Sequence, residues 1–208
     1  MKKLILMLSA VALTATVSAQ TVEESKTFDN VYIGVNGGFA TKTTGHGWFK
    51  NLNPNLGVRV GRYFTPVFGM AIESNLYFSN KPGESIGTFV RSMNTSLLGT
   101  VNFSNWFGGY KGEPRLFEVY GLYGLGWGHV FGTPSKYTHD NTFTSKAGID
   151  FAFNLGKSKA WQLYIEPAMI WTLAGNNAIG DTEVQYDLED SGFQLNVGFI
   201  YKFKNSNG

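Results

Sequence analysis

The sequence predicts an all-β fold: an eight-stranded antiparallel up-and-down transmembrane β-barrel. Three observations carry this. The chain alternates apolar and small polar residues over eight long runs, each bounded by Gly, Pro, Asn or Asp, which is the period-2 signature of strands with one face in apolar surroundings. Past the first 20 residues no stretch approaches 18 consecutive apolar residues, so a membrane-spanning form of this chain has to be a barrel. The last run, Phe193 to Phe203, sets Phe193, Leu195, Val197, Phe199, Tyr201 and Phe203 against Gln194, Asn196, Gly198, Ile200 and Lys202. Its aromatics sit at the extreme end, where a membrane strand meets the headgroups.

Residues 1–19 read as a secretory signal peptide: Lys2 and Lys3, an apolar run Leu4 to Leu13, then Val17-Ser18-Ala19 before Gln20. The chain is therefore expected to be exported. The full sequence holds 17 basic and 15 acidic side chains, and losing Lys2 and Lys3 leaves the two signs equal. Such a balance gives no footprint for nucleic acid. Without cysteine there is no disulfide framework and no lipid-modified N-terminal Cys, so attachment to a membrane must come from the fold. About 189 residues remain after the leader, enough for one domain, and 26 Gly with many aromatics and few charges point to β. Residues 20–29 read as a short periplasmic tail, 30–204 as the barrel and 205–208 as a C-terminal tail.

The elements follow in order. The first strand, Val31 to Thr41, opposes Val31, Ile33, Val35 and Phe39 to Tyr32, Gly34, Asn36, Gly38 and Ala40; a loop runs to Pro54. The second, Asn55 to Phe64, has Leu56, Val58, Val60 and Phe64 outside and Gly57, Arg59, Gly61 and Tyr63 inside. A tight turn, Thr65-Pro66-Val67, leads to the third, Phe68 to Ser79, with Glu73 and Asn75 on its inner face. The fourth, about Ser92 to Ser104, sets Met93, Leu97, Val101 and Phe103 against Asn94, Ser96, Thr100 and Asn102, and Asn105 to Pro114 turns the chain. The fifth, Leu116 to Phe131, points Phe117, Val119, Tyr123, Leu125 and Trp127 outward and Glu118, Tyr120 and Leu122 inward. The sixth, Phe143 to Leu155, opposes Ile149, Phe151, Phe153 and Leu155 to Lys146, Gly148, Asp150 and Asn154. The seventh, Trp161 to Leu173, opposes Trp161, Leu163, Ile165, Met169 and Trp171 to Gln162, Tyr164, Glu166 and Ala168. Pro167 breaks its ladder, since proline belongs at a bulge or edge.

Each run covers the roughly 9 to 11 residues that cross a bilayer at a tilt. Long polar connections follow the odd strands and mostly shorter ones the even strands, which puts both termini and the short turns on one side. The outward aromatics sort by height into two belts. Phe64, Phe68, Phe103, Phe117, Trp161, Tyr201 and Phe203 lie near the turns; Phe39, Phe78, Trp127, Phe131 and Trp171 lie near the loops.

Asn196, Gly198, Tyr201 and Phe203 resemble the C-terminal insertion signal of bacterial outer-membrane barrels: polar, any, Gly, any, any, aromatic, any, aromatic. From Val31 to Phe203 the chain resembles the small eight-stranded outer-membrane barrel family of the OmpA and OmpX type, departing from OmpA in leaving no room for a peptidoglycan-binding domain. The resemblance implies a multi-pass barrel in the outer membrane of a Gram-negative cell envelope. Its implied partners are outer-membrane lipid, lipopolysaccharide and, during insertion, the barrel-assembly machinery; an extracellular ligand held by the loops is left open. A soluble lipocalin-like barrel would carry apolar residues inside and more Lys and Glu outside.

Candidate chemistry is sparse. His46, His129 and His139 gather on the loop side, but none has a second ligand at metal spacing and loop histidines are ordinarily solvated; no metal or other cofactor is expected. An eight-stranded barrel can also be a lipid A deacylase or acyltransferase, where a Ser and His near the rim act as nucleophile and base. The deacylase type resembles a His-x-Ser arrangement, whereas His129 is followed by Val130 and Phe131. Asp140 beside His139 is the single hint of an acid–His rim protease, and the pair reads in preference as a polar loop tip. The acidic run Asp181, Glu183, Asp187, Glu189 and Asp190 reads as a solvated loop rather than a cation bridge to lipopolysaccharide. Trp48, Phe49 and Tyr137 are loop aromatics suited to a partner or to headgroups. The expected role is accordingly non-enzymatic, structural or interactive, with a lipid-modifying enzyme or a narrow pore as alternatives.

The interior offers the sharpest expectation. If Phe64 and Phe68 face each other across their turn, Arg59 lies opposite Glu73; if Leu155 faces Trp161, Asp150 lies opposite Glu166. One layer then holds three carboxylates and one guanidinium, with Lys146 higher. Such crowding is costly unless a carboxylate is protonated or Lys146 reaches down. A salt-bridged plug is the preferred reading over a proton path or gate.

Overall fold

The computed structural model describes residues 30–45, 52–79, 89–131, 140–173, 186, 188–189 and 191–203. The leader, the N-terminal tail and residues 204–208 lie outside this set, as do His46, Trp48, Phe49, Tyr137, His139, Asp181, Glu183, Asp187 and Asp190.

Eight strands follow the alternating runs: β1 Val31–Lys42, β2 Asn53–Tyr63, β3 Phe68–Phe78, β4 Val90–Asn102, β5 Phe117–Val130, β6 Asp140–Leu155, β7 Trp161–Thr172 and β8 Ser191–Lys202. Each pairs antiparallel with its successor, and β8 returns to β1 from Tyr32 opposite Lys202 to Lys42 opposite Gly192. Closure leaves no unpaired edge, the condition for strands to stand in lipid.

The alternation decides which side each residue faces. Val58 and Val60 are about half exposed on the outer wall, whereas Arg59 between them is 1% exposed. Inside, Tyr32, Leu98, Tyr164 and Ile200 are buried in the middle of the barrel. The belts form as well: Phe64, Phe117 and Trp161 are exposed at the turn side, Phe39 and Trp127 at the loop side, and Phe68 stacks beside Phe64 with ring centroids 6.1 Å apart. Phe78 pairs with Phe89 at 5.3 Å and Trp171 meets Tyr186 edge-on at 5.5 Å.

Several boundaries differ from the sequence expectation. β6 begins at Asp140 rather than Phe143, because β5 extends far enough to pair Val130 with Asp140; polar Asn141 and Thr142 suit a strand end that rises above the hydrocarbon. β2 starts at Asn53, ahead of Pro54, a proline tolerated near a strand's first residue. β8 starts at Ser191 and ends at Lys202, with Phe203 just beyond, its N–H donating to the Val31 carbonyl at 3.0 Å.

The largest correction concerns Phe103. Periodicity places it in the fourth strand, but β4 stops at Asn102, whose side chain accepts from the Asn105 N–H at 3.0 Å and so caps a short helix, α1, Phe103–Gly108. Asn is among the preferred N-caps, and this local bond outcompetes one more strand residue. Phe103 still lies on the outer wall at the turn side, its ring filling the place where a side chain on Gly121 would stand.

Pro167 produces no bulge. β6 and β7 lose pairing at Ile149 and Asp150, across from Pro167 and Glu166, and resume at Phe151 opposite Ile165 in the register they had at Gly148 opposite Ala168. A missing N–H removes ladder bonds without shifting the frame.

Candidate functional site: a charged interior

The two register relations place four charges at one height. Arg59 stands opposite Glu73 on β2 and β3, and the unshifted β6–β7 frame brings Asp150 and Glu166 to the facing wall. Arg59 Nε donates to Glu73 Oε2 at 2.7 Å and Nη1 to Asp150 Oδ2 at 2.7 Å, while Nη2 bridges Glu73 Oε2 and Glu166 Oε2. Lys146 reaches into the layer: its Nζ donates to Glu166 Oε1 at 2.6 Å and pairs with Glu73 Oε1. Asn75 Nδ2 adds a bond to Glu73 Oε1 at 2.7 Å. Three carboxylates thus share two cations, and none of the five residues is more than 5% exposed. Every carboxylate touches Arg59, so a single guanidinium ties β2 to β3, β6 and β7.

Two tyrosines frame the layer. The Arg59 guanidinium lies over the Tyr164 ring, 4.9 Å from its centroid, a cation–π contact strengthened by exclusion of water. Tyr164 in turn lies across Gly198, where a Cβ would come within 2.5 Å of ring carbon Cε1. Tyr32 covers Gly61 in the same way on the other side. Only glycine leaves a barrel of eight strands room for rings laid flat against its inner wall.

A second polar tier closes the turn side. Glu118 accepts from Tyr120 OH at 2.8 Å, Asn154 Nδ2 at 2.8 Å and Asn102 Nδ2 at 3.2 Å. Lys202 Nζ and Gln162 Nε2 both donate to Asn154 Oδ1, at 2.8 and 2.9 Å. Glu118 and Lys202 lie on inward phases of their strands, a signal available in the sequence. Their link runs through an asparagine rather than a direct ion pair, and charge counting does not detect it.

On the loop side the interior opens into a cavity of about 930 Å³ walled by Thr41, Arg91, Thr142 and Ser191 among others. Its floor is Gln194, which accepts from Tyr77 OH at 2.6 Å, and Asn94, which accepts from Thr144 Oγ1 at 2.7 Å. Glu189 of the acidic run borders this cavity.

The other singled-out residues scatter. Asn196 is buried, donating to Asn36 Oδ1 at 3.2 Å, whereas Tyr201 and Phe203 face outward beside Trp161, with Tyr201 4.9 Å from Trp161 and 5.4 Å from Phe203. The His129 Nδ1 is 2.9 Å from Asn141 Oδ1, and the ring packs between Trp127 and Phe131. Among the described residues no three His, Asp or Glu side chains gather as a metal site.

No protein-family model and no curated protein matches the chain. Solved structures do. Neisserial surface protein A superposes with a TM-score of 0.60 at 10% identity, over 84% of this chain and 98% of that one. The N-terminal β-barrel domain of OprF from Pseudomonas aeruginosa aligns with a TM-score of 0.49 at 12% identity, over 83% and 97%. An apolar girdle outside, charge inside and closure at eight strands give this chain the fold of a small outer-membrane β-barrel.

Proposed function

We propose that the protein is a non-enzymatic integral component of the outer membrane, its interior filled by a structural plug and its interactions made by the outward loops. The observation that carries this reading is the burial of the Arg59 layer and of the Glu118–Lys202 tier below it. Two successive sets of side chains bonded wall to wall fill the barrel beneath its loop-side cavity, as side chains can at this strand number. The lipid-modifying alternative requires a nucleophile and a base together at the rim; the described rim histidine, His129, engages Asn141 and two aromatic rings instead. Adhesive or other loop-mediated contacts belong to the same proposal, with lipopolysaccharide as the surrounding outer-leaflet partner and the barrel-assembly machinery as the partner during insertion.

Mass spectrometry of lipid A from cells with and without the protein tests the non-enzymatic reading. An identical acyl pattern is expected. A lost or added acyl chain would replace the proposal with the enzyme.

A further inference from the structure

The β4–β5 connection departs from the tight turns expected on its side of the barrel. The β2–β3 turn, Phe64 to Val67, carries no charge, whereas residues 103–116 fold into α1 and a basic return segment. Four contacts fix that segment against the wall. Asn102 caps α1, Asn105 Nδ2 donates to the Pro66 carbonyl at 2.9 Å, Ser104 Oγ accepts from the Val119 N–H at 2.9 Å, and Phe103 occupies the space over Gly121. Gly121 belongs to the outward phase of β5, so the Phe103 side of α1 is seated on the lipid-facing surface, while buried Asn105 turns toward the barrel mouth beside Glu118 and Lys202. Arg115 completes it by donating to the Gly108 carbonyl at 2.9 Å and the Gly109 carbonyl at 2.5 Å.

What this segment presents is unusual for a turn in water. Trp106 and Phe107 stack on each other with centroids 5.4 Å apart and lean on Phe103, and Phe107 is 81% exposed. They continue the turn-side belt toward the Phe117–Phe153 pair, whose rings are 5.0 Å apart. The return segment meets the end of β6, where Asn154 Nδ2 donates to the Arg115 carbonyl at 2.7 Å, so Lys111 and Arg115 of this connection share the rim with Lys157 and Lys159 of the adjacent β6–β7 turn, against Glu113 as the one acidic side chain of these two connections. An aromatic wedge flanked by excess positive charge, at the boundary of an apolar girdle, has the composition of an anionic lipid-binding surface.

We infer that the β4–β7 sector of the turn-side rim is a docking site for phospholipids with anionic headgroups. Trp106 and Phe107 enter the acyl–headgroup boundary, and Lys111, Lys157 and Lys159 hold the phosphates. The girdle fixes the depth of the wedge, and charge complementarity selects the headgroup.

The test uses the full barrel refolded into vesicles that contain either brominated phosphatidylglycerol or brominated phosphatidylcholine. Quenching of Trp106 is isolated as the difference between wild type and Trp106→Phe. The second protein carries Lys111→Gln, Lys157→Gln and Lys159→Asn, asparagine being chosen because Lys159 has a φ of 53°, which asparagine tolerates. Its folding is checked by gel migration without boiling. Wild type is expected to favour the anionic lipid by roughly fivefold for each lysine engaged near the surface, and the triple variant to lose that preference while phosphatidylcholine still quenches. Equal quenching by both lipids in wild type, a preference that survives in the folded triple variant, or no quenching by either lipid would overturn the inference. Should the triple variant not fold, wild type at high salt replaces it: the preference should collapse as the charges are screened, and one unaffected by salt would overturn the inference equally.

Discussion

Arg59 and Glu73 stand directly across the β2–β3 ladder, and the guanidinium meets one carboxylate oxygen through both Nε and Nη2. Glu73 is also the residue that Lys146 and Asn75 converge on. Its removal therefore takes a bonded partner from two buried cations at once, although Asp150 and Glu166 still match them in number. Glu73→Ala should destabilise the folded barrel by about 3–5 kcal/mol, the cost of breaking a buried pair from one side. Denaturant titration of the barrel in vesicles measures it, and a loss below about 1 kcal/mol would mean that water solvates the layer.

Asp150 should behave differently. It makes a single bond to Arg59 through Oδ2, and Oδ1 has no partner among the described residues. Neutralising it turns three carboxylates and two cations into two of each. Asp150→Asn should then cost far less than Glu73→Ala, because it alters one bond of the layer where Glu73 makes four. The same titration decides: a loss equal to that of Glu73→Ala would show that all three carboxylates are equally required.

Gly198 is tested by one methyl group. A Cβ there runs into the Tyr164 ring and pushes it from its place against the Arg59 guanidinium. Gly198→Ala should destabilise the barrel by about 1–3 kcal/mol, the usual cost of overpacking, whereas Gly37→Ala on β1, which meets nothing closer than 3.5 Å, should be nearly neutral. Equal losses at the two positions would point to strand propensity instead of the ring.

Tyr201 and Phe203 form one aromatic cluster with Trp161 beside the last strand. The double substitution Tyr201→Ala with Phe203→Ala should lower the amount of protein in the outer membrane, since it removes belt anchors together with the residues that resemble an insertion signal. Immunoblots of outer-membrane fractions, with the unboiled compact band as the measure of folded barrel, report it. Wild-type levels would leave the signal reading without support.

The strand order, the facing of Arg59 and the two registers were legible in the sequence because period-2 alternation and the Phe64–Phe68 and Leu155–Trp161 turns leave little freedom once one face must meet lipid. The position of Lys146 was legible only as an option, since a flexible four-carbon stem can end a layer away from its Cα. The α1 helix was not legible. Phe103 continues the apolar phase of β4, so periodicity assigns it to the strand, and the deciding bond from Asn102 is a cap inside what reads as a polar turn. The Glu118–Lys202 tier escaped for a related reason: its centre is neutral Asn154, recruited from another strand.

Closure of the interior is the central claim, and single-channel recording of the purified wild-type barrel in planar bilayers tests it most directly. With the Arg59 layer and the Glu118 tier in place, little or no steady conductance is expected. Large, stable, uniform conductance steps from the folded wild-type protein would contradict the plug and establish a pore.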